Sequence, residues 1–78
     1  MPEHIINYKV DDEPQTTTER VLTPKQILEN AKIDPNSHYL VQLEGKHQIS
    51  YKDNPNQEIH MHEGMIFISV STGPTPVS

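Results

Sequence analysis

The sequence predicts a small two-layer α+β domain. Three observations carry that expectation. A well-marked helix start stands at Thr23-Pro24-Lys25-Gln26, apolar stretches with strand-like alternation lie on both sides of it, and 78 residues are enough for one domain only. A chain this short buries only about 60–65% of the surface its unfolded form exposes, so modest stability is expected.

The segment His4 to Val10 reads as a strand, with Ile6, Tyr8 and Val10 recurring at period two. Asp11-Asp12-Glu13-Pro14 is a turn, because acidic side chains bond their own backbone and proline fixes φ. Gln15 to Leu22 is threonine-rich, and branching at Cβ favours extended backbone, so it is expected to complete a hairpin. Thr23 can cap a helix by accepting from an orphan N–H, Pro24 suits the first helical position, and Gln26 completes a capping box. Ile27, Leu28 and Ala31 then form one apolar stripe, and Asp34-Pro35-Asn36 is expected to end the helix after two to three turns. Tyr39 to Leu43 and His47 to Tyr51 read as strands around a Glu44-Gly45-Lys46 turn, with Ile49 pointing inward. Residues 52–64 are expected to be irregular. Met65 to Ser71 gives the clearest alternation, Ile66, Ile68 and Val70 on one face against Met65, Phe67, Ser69 and Ser71 on the other. The expected core is Ile6, Tyr8 or Val10, Leu22, Ile27, Leu28, Ala31, Leu40 or Val41, Leu43, Ile49, Ile66 and Ile68. The domain is placed at residues 1–71, and residues 72–78, which hold two prolines and no apolar periodicity, are expected to be a flexible tail.

Composition narrows the function classes. The absence of cysteine removes a disulfide framework, a thiol nucleophile and a cysteine zinc site. A net charge of −5 with scattered lysines and one arginine argues against nucleic acid, which needs a cationic face. No apolar run reaches the roughly 20 residues of a membrane span, and the N-terminus lacks a signal-peptide pattern, so a cytoplasmic protein is expected. The serines lack a nucleophile elbow, and the glycines are isolated rather than gathered in a phosphate loop. No enzyme activity and no cofactor are therefore expected. His60 and His62 share a side if extended, and Glu58, Glu63 or His47 could join them around a metal. With no cysteine and no HExxH helix, surface histidines are the preferred reading and no metal is assigned.

The element order strand, strand, helix, strand, strand, strand at this length is that of ubiquitin. The residues Tyr8-Lys9-Val10-Asp11-Asp12, then Leu22-Thr23-Pro24-Lys25-Gln26-Ile27-Leu28-Glu29-Asn30-Ala31, then Asp34-Pro35 before Tyr39-Leu40-Val41-Gln42, resemble the bacterial multiubiquitin family of ubiquitin-like modifiers. Ile59 to Gly64 followed by Phe67 resembles that family's polar segment and final strand, so the likeness covers residues 5–71. It implies a β-grasp fold (ββαβββ), a mixed sheet with one helix across it. It also implies a protein modifier whose C-terminal glycine is adenylated, passed to a thioester and joined to an amine. The implied partners are activating-enzyme-like, conjugating-enzyme-like and JAMM-type peptidase proteins.

Ubiquitin ends in two glycines, whereas this chain has Gly73 followed by Pro74-Thr75-Pro76-Val77-Ser78. The resemblance thus implies a precursor from which a peptidase frees Gly73, although Pro74 beyond the scissile bond hinders cleavage. The alternative is a non-covalent adaptor that docks through its sheet and is never conjugated. A sulfur carrier is a third reading, less favoured for want of a terminal glycine pair. If the Glu44-Gly45-Lys46 turn matches ubiquitin's, the centre of ubiquitin's binding patch falls at Gln42. With Ile66 and Ile68 inward, Met65 and Phe67 would be exposed as a partner anchor; the opposite phase would put Phe67 in the core.

Overall fold

The computed structural model describes residues 4–72. Its chain order is β1 (Ile6–Val10), β2 (Glu13–Thr17), β3 (Val21–Leu22), α1 (Pro24–Asn30), β4 (His38–Glu44), β5 (His47–Ser50), β6 (Ile59–His60) and β7 (Met65–Ser71). Five strands form one mixed sheet in the order β2-β1-β7-β4-β5, and β3 with β6 forms a small second sheet. The first and last of the five, β1 and β7, run parallel at the centre, and every other pairing is antiparallel. The helix packs on β4 across one face. This is a small α+β architecture compatible with the expected β-grasp.

Local chemistry explains most of the elements. Asp11 and Asp12 both adopt positive φ, +52° and +68°, which is what a two-residue turn between twisted antiparallel strands demands. Pro14 follows in β2, an edge strand, where a missing donor is tolerated. The capping box forms as expected: the Thr23 hydroxyl accepts from Gln26 N–H at 3.2 Å, and the Gln26 side chain accepts from Thr23 N–H at 3.0 Å. The helix stops earlier than the Asp34-Pro35 exit. Lys32 takes φ +63°, its N–H donates to Glu29 O, and Ile33 N–H donates to Leu28 O. That pair of bonds is a Schellman motif with lysine in the position glycine usually takes, and Ile33 packs onto the core beside it.

Two expected segments divide differently. Gln15 to Leu22 is not one strand: β2 ends at Thr17, and Val21–Leu22 turns away to pair with Ile59–His60. The segment read as irregular therefore contains β6, and Met61 N–H extends its ladder to Arg20 O at 2.8 Å. Leu22, Ile59 and Met61 close one side of the core.

The core consists of Ile6, Tyr8, Val10, Leu22, Ile27, Leu28, Leu40, Tyr51, Ile59, Met61 and Phe67, with Ala31, Ile33 and Met65 packed against it. Phe67 is fully buried and meets Tyr8 edge-on, ring centroids 6.1 Å apart at 88°. This corrects the phase expected for the last strand: Phe67 points inward and Ile66 is 41% exposed. Ile49, also expected inside, is 37% exposed, because β5 is an edge strand beyond the reach of the helix. Burial raises the Tyr8 phenol above its ordinary value, partly offset by the nearby Asn30 side chain. No atom stands in hydrogen-bond geometry to that hydroxyl.

The register of β7 against β1 is fixed by side chains as well as by the ladder. Asp11 N–H donates to Phe67 O at 3.0 Å, and the Asp11 carboxylate accepts from both the N–H and the hydroxyl of Ser69. At the other end, Glu63 accepts from Asn7 N–H at 3.0 Å while Gly64 N–H donates to Asn7 O at 2.8 Å.

Two predictions follow from this packing. Phe67→Ala should cost about 3–5 kcal/mol and Ile66→Ala about 1 kcal/mol or less in urea unfolding, the order that the reverse phase would invert. The bond from Asn7 N–H holds the Glu63 carboxyl below its ordinary value. Its ionised form therefore favours the folded chain. That stabilisation is fully present above the ordinary glutamate range near pH 4 and is lost as pH falls through the depressed folded value. Glu63→Gln should lower stability at neutral pH and flatten its decline on acidification, read from melting temperatures between pH 6 and 3.

Candidate protein-binding face

Strand alternation sorts the sheet residues onto two faces. The helix covers the face that carries Ile6, Tyr8, Val10, Leu40, Gln42 and Phe67. The other face carries a double row across the two central antiparallel strands, with Leu43 opposite Ile66, Val41 opposite Ile68 and Tyr39 opposite Val70. Each pair can pack side chain against side chain. Val41 is only 6% exposed yet stands apart from the contiguous core. It is buried by its neighbours on the outer face and not by the helix. Ile66 is the most open member of the rows at 41%. Shallow grooves flank it on both sides, one lined by Lys9, Pro14 and Met65, the other by Leu43, Gly45 and His62.

The charge around this face differs from that of the chain. The outward strand positions include Lys9 on β1, and Lys52 lies just beyond β5 with its Nζ 5.7 Å from the centre of the Tyr39 ring, a cation–π contact. In a chain of net charge −5, an apolar double row flanked by two lysines is a local departure.

Of the anchors expected from the sequence, Gly73 lies outside the described residues. Gln42 does not occupy the outer face. It points inward, 7% exposed, opposite Phe67, and its Oε1 accepts from the Tyr51 hydroxyl at 3.2 Å. Burial raises the Tyr51 phenol, and the Glu44 carboxylate adds to that shift, so the hydroxyl remains a donor. Met65 is half-buried against the core, and its sulfur accepts from His62 N–H at 3.1 Å. Phe67 is core. The structure thus brings none of Gln42, Met65 and Phe67 to a partner. The residues that do reach the surface are Ile66, Ile68, Val70, Tyr39 and Leu43, whose period-two spacing is plain in the sequence once the phase of each strand is known.

His60 and His62 are both exposed around buried Met61, on one side as expected, and share a groove with His4, Arg20 and Glu63. No group of three or more metal-ligating side chains is gathered among the described residues. Among those residues, no helix is long and apolar enough to cross a membrane. Comparison with protein-family models, with curated proteins and with solved structures gives no match.

The inward pair makes a specific prediction. Tyr51→Phe removes the donor to a buried Gln42 and should destabilise by about 1–3 kcal/mol. Gln42→Leu in the same chain should recover most of that loss, as measured by a double-mutant cycle in urea.

Proposed function

We propose that the chain is a ubiquitin-like β-grasp domain, recognised by partner proteins through the outer face of its sheet and attached to them through Gly73. The observation that carries the reading is the double row Tyr39-Val41-Leu43 and Ile66-Ile68-Val70, open on a sheet whose opposite face is covered by the helix. The parallel pairing of first and last strands at the sheet centre, with a single helix across it, is the arrangement a β-grasp requires. The resemblance of residues 5–71 to the multiubiquitin family supplies the modifier chemistry.

In that chemistry a peptidase first releases residues 74–78. The Gly73 carboxylate then attacks the α-phosphorus of ATP and pyrophosphate leaves. A thiolate of the activating enzyme displaces AMP, and an acceptor amine finally displaces the thiol. The partners are activating-enzyme-like, conjugating-enzyme-like and JAMM-type peptidase proteins. The outer face supports equally a module that only docks, and the tail decides between the two.

The test uses the full chain with these partners and ATP. A loss of residues 74–78 followed by a covalent adduct at Gly73, seen by mass spectrometry, is expected; an unchanged mass with Ser78 intact removes the modifier role. Leu43→Asp/Ile66→Asp should keep the folded circular dichroism spectrum and weaken binding to the activating-enzyme-like partner about tenfold or more. Unchanged binding by that folded variant rules out the outer face.

A further inference from the structure

Beyond Val70 and Tyr39, where the sheet ends, a small cavity opens between the start of α1, the beginning of β4 and the loop after β5. Its volume is about 120 Å³, and it is more enclosed than the grooves around Ile66. The floor is apolar, built from Leu28, Leu40, Pro24 and the Tyr51 ring. The rim carries Lys25, Lys52 and His38. No carboxylate lines it, although the chain holds 11 Asp and Glu against 6 Lys and Arg. Asp34 and Asp53, next in sequence to lining residues, are not part of the wall.

The loop is held in place by its own bonds, which shape the cavity without a ligand. Lys25 N–H donates to Pro55 O at 3.1 Å, and Asn54 N–H donates to Tyr51 O at 3.1 Å. Tyr51 N–H continues the β4 ladder to Leu40 O at 2.9 Å. Lys52 is steered over the Tyr39 ring. His38 has Nδ1 3.0 Å from the Ser37 hydroxyl and 3.2 Å from Asp34 O, which leaves Nε2 as its free ring nitrogen.

These features select a ligand class. Two ammonium groups over an apolar floor attract a single negative charge attached to a small apolar body. A phosphate fits less well. It prefers backbone N–H arrays or the fork of an arginine. Here the Lys25 N–H is already bonded to Pro55 O and the Gln26 N–H to the Thr23 hydroxyl, and the lone arginine, Arg20, is not in the wall. The volume equals that of about four waters in the liquid, so the body is short. We infer that this cavity binds a small aliphatic carboxylate, its charge between Lys25 and Lys52 and its carbon atoms on Leu28, Leu40 and the Tyr51 ring. The same chemistry is offered by a free acid such as isobutyrate and by the C-terminal residue of a peptide ending in valine.

The experiment titrates isotope-labelled full chain with isobutyrate at constant ionic strength and follows backbone amide shifts. Saturable shifts are expected at Lys25, Tyr39, Leu40 and Lys52, with affinity at least about fivefold weaker in Lys25→Gln/Lys52→Gln. Both lysines are exposed, so the variant should fold, and unchanged shifts in β1 and β7 verify that. A valine-ending peptide that binds more tightly than isobutyrate, while its C-terminal amide does not bind, assigns the site to chain ends. Tighter isobutyrate assigns it to free acids. The inference is overturned if neither carboxylate gives saturable shifts at these residues, if isobutyramide binds as well as isobutyrate, or if inorganic phosphate binds more tightly than both.

Discussion

The first and last strands run parallel side by side at the centre of the sheet, with nearly the whole chain between them. No short turn can set the register of such a pair, so contacts must. Asp11 is the main one. Its backbone N–H reaches Phe67 O, and its carboxylate reaches both donors of Ser69, so the turn that closes the first hairpin also clamps the last strand. A slip of one residue would exchange Phe67 for Ile66 in the core. It would also break the Asn7 bonds to Glu63 and Gly64 at the other end of the same pair. Both the core and the outer face inherit their composition from this register.

The parts of the fold legible in the sequence are those decided locally. The helix start was readable because a capping box is a contact among four consecutive residues, and each of its bonds forms. The last strand was readable in extent for a similar reason, alternation over seven residues. Its phase was not. Judged alone, Ile66-Ile68-Val70 is the more apolar face, since the other carries Ser69 and Ser71. Two distant facts reverse that preference. Phe67 fills space against Tyr8 that an isoleucine would leave partly empty, and Asp11 satisfies both donors of Ser69. Neither is visible within the strand. The split of Gln15 to Leu22 and the pairing of β3 with β6 are equally non-local, because two-residue strands carry no periodicity of their own.

The same correction changes the candidate site. The turn at Glu44-Gly45-Lys46 had suggested a binding patch with a polar centre at Gln42. In the structure Gln42 belongs to the inner layer, where Tyr51 occupies its acceptor. The outer positions of that strand are Tyr39, Val41 and Leu43, so the patch is apolar throughout. What looked like a weakened surface was a parity error of one residue, made in both strands that build the face.

A small domain has little apolar surface to spare, so a row of large apolar residues outside its core calls for an explanation. Part of it is internal. Val41 lies between neighbours that bury it without help from the helix, and the cross-strand pairs on each side stabilise the two central antiparallel strands. That account holds for the middle of the row and fails at its ends. Ile66, beside the grooves at one end, remains 41% exposed. At the other end Tyr39 is shielded chiefly by Lys52, a charged side chain able to move aside. The face is thus graded, self-sufficient at its centre and incomplete at Ile66. A partner that adds apolar area there gains the most for the least rearrangement, which is why the Ile66 end, more than the whole row, is where recognition should concentrate.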